Sequence, residues 1–318
     1  MQVSAGSGTA CPCKVCQCPP HPGPTDDRSF LMHAPTPKII APDLLLMAYR
    51  SGIFPMSDSR DDEDIYWVEP RERAIIPLDS FHCSRSLAKV IRQERFVVTC
   101  NAAFDAVIAA CAAPRPGHPE SWISDRIAAS YRALHAAGYA HSIECWQEPS
   151  GPDDASHDES ADRRRAGPGG RRLVGGLYGV GFDHAFCGES MFSRERDASK
   201  VALAWLVALL RRGGYHLLDC QFMTEHLGTL GAAPLSRQAY LERLADAVRA
   251  GPAPALPELY ASLVGAAGSG AGSGAASGCG AGAAVGALGR GAAVDGSSAG
   301  AGASCPGKLI LQSLTQTS

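Results

Sequence analysis

With 318 residues and 45% apolar side chains, the chain has enough material to bury one large core or two modest ones. A net charge of −3 excludes nucleic-acid binding driven by bulk charge, so any such partner has to meet a local basic face. There is no apolar run of eighteen residues, and the N-terminus lacks the basic-then-apolar profile of a secretion signal, which points to a soluble cytoplasmic protein with no membrane partner.

Residues 1–36 are rich in Pro, Cys and Ser and are read as a disordered leader, with Met32 as the candidate initiator. The spacing predicts a short helix over "PDLLLMAYRSG", with Asp43 in its first turn and Gly52 as its stop, then short strands over "IYWVEP" and "RAIIPL". "SRSLAKVIRQER", "NAAFDAVIAACAA" and "SDRIAASYRALHAAG" read as helices, the last capped by Ser124 and ended before Gly138. "AHSIECWQ" and "LVGGLYGVGFDHAFCGESMF" are strand-like, and the polar stretch 148–172 between them is read as a flexible, elaborated hairpin loop. A long apolar helix, "ASKVALAWLVALLRRGG", leads to a strand, "HLLDCQFM", and a further helix, "SRQAYLERLADAVRA". Residues 251–318 are taken as a low-complexity Gly/Ala/Ser tail. Strands surrounded by helices make a layered α/β or α+β domain.

Several residue groups carry chemistry. On a strand over "LLDCQ", Asp219 and Gln221 share one face while Cys220 points into the layer behind, and a carboxylate beside an amide accepts, orients and relays protons. A polar pair ending a strand is the plainer account of the same spacing. Glu189, after Gly188, serves either a ligand or an ordinary ion pair with Arg194 or Lys200. Arg85, Lys89 and Arg92 recur at i, i+4 and i+7 as a basic ridge, opposite Leu87, Val90 and Ile91, and either solvation or phosphate contact explains them. Trp122 is a stacking platform or part of a core edge. The free amides opening the helix near Asp197 suit an anion, as at any helix start.

Other patterns carry little. "RRAGPG" (164–169) matches a coenzyme A pyrophosphate cradle but lies in the polar insertion, far from a helix start. Cys11, Cys13, Cys16 and Cys18 have metal-binding spacing without a second half. Cysteines such as Cys111 and Cys220 sit in apolar periodic segments and are read as reduced.

In order and approximate spacing, "AYRSGIFPM", "SWIS", "LHAAGYAHSIECW", "LVGGLYGV", "FCGESMFSRERDASK" and "LLDCQ" resemble leucyl/phenylalanyl-tRNA–protein transferases, from about Ala41 to Val248. The resemblance implies an α+β fold: a small N-terminal domain (37–80) followed by a GNAT-like acyltransferase domain (81–250) with a mixed central sheet flanked by helices. It implies transfer of leucine or phenylalanine, with methionine a further candidate donor, from aminoacyl-tRNA to the N-terminal arginine or lysine of acceptor proteins, marking them for degradation. Neither metal nor coenzyme takes part, and the enzyme is expected to be a monomer. Asp219 and Gln221 then orient and deprotonate the acceptor amine, Glu189 shares their cavity, and Leu177 and Phe186 line the donor side-chain pocket. Trp122 contacts the terminal adenosine, and Arg85, Lys89 and Arg92 face tRNA phosphates. Met56 stands where better-known members carry tryptophan, its thioether still able to pack against a ring. A coenzyme A-dependent GNAT acyltransferase and a non-catalytic tRNA-binding protein are the alternative readings.

Overall fold

A computed structural model describes residues 39–62, 64–114, 121–148, 170–269 and 306–315. The leader with its cysteine cluster and Met32, the polar insertion from 149 to 169 and the glycine-rich tract from 270 to 305 lie outside the described residues.

Helix α1 (Pro42–Arg50) starts on a proline, which loses no helical hydrogen bond there, and ends at Gly52, where φ is +80°. A two-stranded ribbon follows, β1 (Phe54–Met56) against β2 (Tyr66–Val68), with Met56 directly across from Tyr66. Strand β3 (Glu72–Ile75) then enters a seven-stranded sheet, although it belongs to the stretch assigned to the N-terminal domain. The division at residue 80 does not coincide with a break in the sheet.

The sheet runs β4 (Val97–Cys100), β5 (Ala140–Gln147), β6 (Arg172–Phe182), β7 (Ala185–Ser193), β8 (Leu217–Asp219), β3, β9 (Ala233–Ser236). All neighbours are antiparallel except β7 and β8, which run parallel and are joined by the crossover helix α5 (Ala198–Arg212), as a parallel pair requires. The fold is α+β, a mixed sheet covered by helices.

One face of the sheet packs on α2 (Arg85–Arg92) and α5; the other packs on α1, α3 (Phe104–Ala112), α4 (Asp125–Ala136) and α7 (Arg237–Arg249), the one-turn α6 (Glu225–Gly228) lying between β8 and β9. Helix α5 is buried along nearly its whole length. Its leucines each contribute roughly 1.5–3 kcal/mol by leaving water. Gly175 makes the approach of α5 to β6 feasible, because a Cβ there would lie 2.5 Å from the Ala198 Cβ. Ser84, Ser124 and Ser236 cap α2, α4 and α7 through their hydroxyls.

Two features depart from the sequence reading. Strands β1, β4 and β9 are only three or four residues long, so their periodicity is too brief to register. The tail also contains structure: α8 (Leu256–Ser269) and α9 (Pro306–Thr315) lie at the two ends of the glycine-rich tract. Leu256, Leu259 and Leu263 of α8 and Ile310 of α9 are buried against the α5 side of the core, a pattern hidden by the Gly/Ala composition around it. Helix α9 seats on α2: a Cβ on Gly307 would lie 2.4 Å from the Ile91 carbonyl oxygen, and the Gly307 amide donates to Glu94 at 3.1 Å.

Candidate functional site

A cavity of about 480 Å³ opens between the sheet and α5, walled by Leu177, Met191, Leu203, Leu206 and Leu218 with Glu189 at its edge. Its size falls in the range of small-ligand sites. Thr224, His226 and Leu227 close one side, and Phe222 and Met223, just before them, are exposed apolar side chains.

Glu189 owes its position to a β-bulge. In the β6–β7 ladder Tyr178 pairs with Ser190 and Gly179 with Gly188, leaving Glu189 as the extra residue. A bulge of this kind re-aims a side chain and resets the alternation of the strand. Cys187 accordingly packs on the α1–α4 face, whereas Met191, four residues on, packs on the α5 face. The Glu189 carboxyl reaches the tyrosines of the first face while bordering the cavity of the second.

That carboxyl is almost wholly buried. Its Oε1 accepts from the Tyr49 hydroxyl at 2.7 Å, and its Oε2 accepts from the Tyr131 hydroxyl and from Gln221 Nε2, each at 2.9 Å. The two tyrosine oxygens lie 2.5 Å apart. Burial raises the Glu189 pKa from its ordinary 4.5 to about 7, against the opposing pull of the hydrogen bonds from Tyr49, Tyr131 and Gln221. The alternative pairing with Arg194 or Lys200 does not form: Arg194 lies over the Phe192 ring and donates to the Leu173 carbonyl, and Lys200 faces Asp197.

Asp219 and Gln221 come together by a different geometry from the one expected. Strand β8 ends at Asp219, and Gln221 lies beyond it with φ +63°, so the two do not share a strand face. The left-handed turn brings the Gln221 amide N–H onto Asp219 Oδ1 at 2.8 Å and sends its side chain to Glu189. Cys220 points away from Asp219, as expected, and packs against the α5-side core, where it borders the cavity.

Asp219 faces the opposite way, 1% exposed, with Arg73 Nε 3.1 Å from both carboxylate oxygens and the Tyr240 hydroxyl 3.0 Å from Oδ2. Arg73 also donates to the Gly52 carbonyl and lies under the rings of Phe54 and Tyr240. Asp219 is a fully engaged buried ion pair that holds the turn carrying Gln221, and it does not border the cavity.

The remaining sequence candidates divide. Leu177 lines the cavity. Phe186 is fully buried in the same core cluster without lining it, its ring filling the space a side chain on Gly179 would take. Trp122 is half-buried beside the α1–α4 cluster, its carbonyl accepting from Ser57 Oγ at 2.8 Å, and Met56, one residue away, packs on that cluster too. Arg85, Lys89 and Arg92 are exposed on α2 and enter no ion pair among the described residues. At the start of α5, the Ser199 amide donates to Ser193 Oγ and the Ala198 amide to the Glu195 carbonyl, so the anion site considered there is already partly satisfied.

Sequence reasoning missed Tyr49, Tyr131, Arg73 and Tyr240. Each lies on a periodic helix or strand where an aromatic or a salt-bridging cation is ordinary, and only their convergence gives them meaning. The described residues contain no metal-ligand cluster and no helix long and apolar enough to cross a membrane.

An apolar slot is thus bordered by a buried carboxyl and an amide, both fixed by groups behind the sheet. Residues 75–150 and 168–245 match the family described as leucyl/phenylalanyl-tRNA protein transferase, and residues 39–71 match the N-terminal domain of the same family, so the chain belongs to it.

Relatives bearing the name leucyl/phenylalanyl-tRNA–protein transferase include one from Novosphingobium aromaticivorans, 55% identical over 288 residues, which cover 89% of this chain and 98% of that protein. Another, from Zymomonas mobilis, is 54% identical over 210 residues, covering 66% of this chain and 70% of the relative. A third, from Maricaulis maris, is 53% identical over 204 residues, covering 64% and 84%.

Proposed function

We propose that the protein transfers leucine or phenylalanine from aminoacyl-tRNA to the N-terminal arginine or lysine of acceptor proteins, acting as a single copy. The observation that carries this reading is the meeting of Glu189 and Gln221 beside a leucine- and methionine-walled cavity in a chain of this family. The cavity accepts an isobutyl or benzyl side chain and rejects polar ones, which would lose water without gaining partners there. An ester becomes an amide, so the chemistry runs downhill and the protein has mainly to align the amine with the ester carbonyl. Gln221 orients the amine through its side-chain amide. Asp219 acts one step back, holding the Gln221 turn through its backbone. Phe186 supports the cavity from the core, and Leu177 touches the donor side chain. Met56, Trp122 and the α2 ridge of Arg85, Lys89 and Arg92 serve the tRNA, the ridge by neutralising phosphates.

The test is incorporation of label from Phe-tRNA into a peptide beginning with arginine and into one beginning with alanine. Labelling of the first alone is expected, and equal labelling of both overturns the acceptor assignment. A coenzyme A reading fits less well, because two of the α5 amides that would cradle a pyrophosphate already donate within the chain. Acyl transfer from acetyl coenzyme A would reinstate it.

A further inference from the structure

The hydroxyls of Tyr49 and Tyr131 and the carboxyl of Glu189 form a closed triangle, with oxygen contacts of 2.5 Å between the tyrosines and 2.7 and 2.9 Å to the carboxyl. Two phenols bring two hydrogens to three contacts. With Glu189 ionised, both phenols donate to it and the 2.5 Å contact between them is left as two facing lone pairs. A third hydrogen closes the ring, and the carboxyl is the group that gains one. Oε2 already accepts from Tyr131 and Gln221, so the extra proton belongs on Oε1. The circuit then runs from Glu189 to Tyr49, from Tyr49 to Tyr131 and back to Oε2, with a hydrogen in every contact.

We propose that Glu189, closed into a ring by the positioning residues Tyr49 and Tyr131, is a neutral carboxylic acid in the empty site, and that seating the acceptor's cationic end releases its proton to solvent. The inference deepens the reading given above and rests on it for the charge of the acceptor.

The surroundings of Glu189 agree. Tyr49 faces it from α1, Tyr131 from α4, Tyr178 from β6, and Gln221 from the turn after β8; Cys187 lies on its own strand, and Asp219 lies beyond, paired with Arg73. The tyrosine and cysteine protons are held more firmly than usual, first by burial and then by neighbouring charge. Among the described residues lining the cavity, the side chain able to carry a positive charge is His226, whose pKa burial and Lys200 lower. Arg73 is committed to Asp219, so Glu189 has no cationic partner among the described residues. A neutral acid keeps the slot apolar for the donor, and an arriving cation makes the anion affordable only when the acceptor is present.

Infrared difference spectra of wild type against Glu189→Gln test this. A neutral-carboxyl C=O band is expected at pH 5.5 and lost by pH 9. At pH 6.5, a peptide beginning with arginine, at a concentration that saturates transfer, should remove the band, and one beginning with alanine should leave it. Tyr49→Phe, which removes a donor to the anion, should move the loss of the band up by about one pH unit, a shift that a merely structural phenol would not produce. A carboxylate-only signal at pH 5.5, or a band that persists under the arginine peptide, overturns the proposal. Transfer of label is scored separately: transfer without the band sinks the ring, whereas the band without transfer sinks the functional reading and, with it, the acceptor's part in releasing the proton.

Discussion

Gln221 Nε2 donates to Glu189 Oε2 at 2.9 Å across 32 residues of chain, joining the turn after β8 to the bulge of β7. Removing either side of this bond should affect chemistry more than folding. Gln221→Ala is expected to lower kcat about 10- to 100-fold with a small change in melting temperature. Gln221→Gly relieves the positive φ as well, so the two variants should differ in stability by about 1 kcal/mol while sharing the same kinetic defect. A normal kcat in both would remove Gln221 from the reaction.

The Arg73–Asp219 pair is nearly inaccessible to water, so breaking it strands a charge. Asp219→Ala is expected to cost about 3–5 kcal/mol of stability in denaturant titrations, beyond any loss of transfer. Arg73→Met alone should be similarly costly, and the double variant should recover much of the loss, giving a strongly non-additive cycle. Additive effects would show that the pair is not coupled.

Glu189 sets a pH dependence whose sign follows from its raised pKa. The folded protein holds a proton that the unfolded chain releases near pH 4.5, so stability is greatest below that value and falls as pH rises to about 7. The loss is on the order of 3 kcal/mol and levels off above pH 7. His141, held at about 4 by burial, slopes the other way, so the measurement is wild type minus Glu189→Gln. If Glu189 is instead ionised throughout in the folded protein, that difference should rise with pH through about 4.5 and be flat above it.

The α2 ridge should report on tRNA through salt. Each alanine substitution among Arg85, Lys89 and Arg92 is expected to raise the KM for aminoacyl-tRNA and to reduce the slope of its logarithm against log salt by about 0.7–0.9. The KM for the acceptor peptide should stay unchanged. An unaltered slope in the triple variant would return these side chains to a solvated face.

Legibility in the sequence followed the physics of each signal. The helices around Leu87, Ile127 and Leu206 announced themselves through long periodic burial, and the cap Ser124 through local hydrogen bonding. Glu189 and Gln221 were readable as polar interruptions of apolar strands. Their geometry was not, because a bulge and a left-handed residue depend on register between strands far apart in the chain. Asp219 was found for its type and then misplaced, since strand alternation was carried two residues past the end of β8. Tyr49 and Tyr131 could not be told from ordinary core aromatics until α1 and α4 were seen to meet over one carboxyl.

The seat of α9 on α2 orders events during synthesis. Helix α2 is translated early, but the groove between Ile91 and α5 stays without its cover until residues 306–315 have cleared the ribosome, more than two hundred codons later. Nascent chains halted within the glycine-rich stretch would leave the Ile91 end of this groove open to chaperones, whereas finished ones would cover it with Gly307.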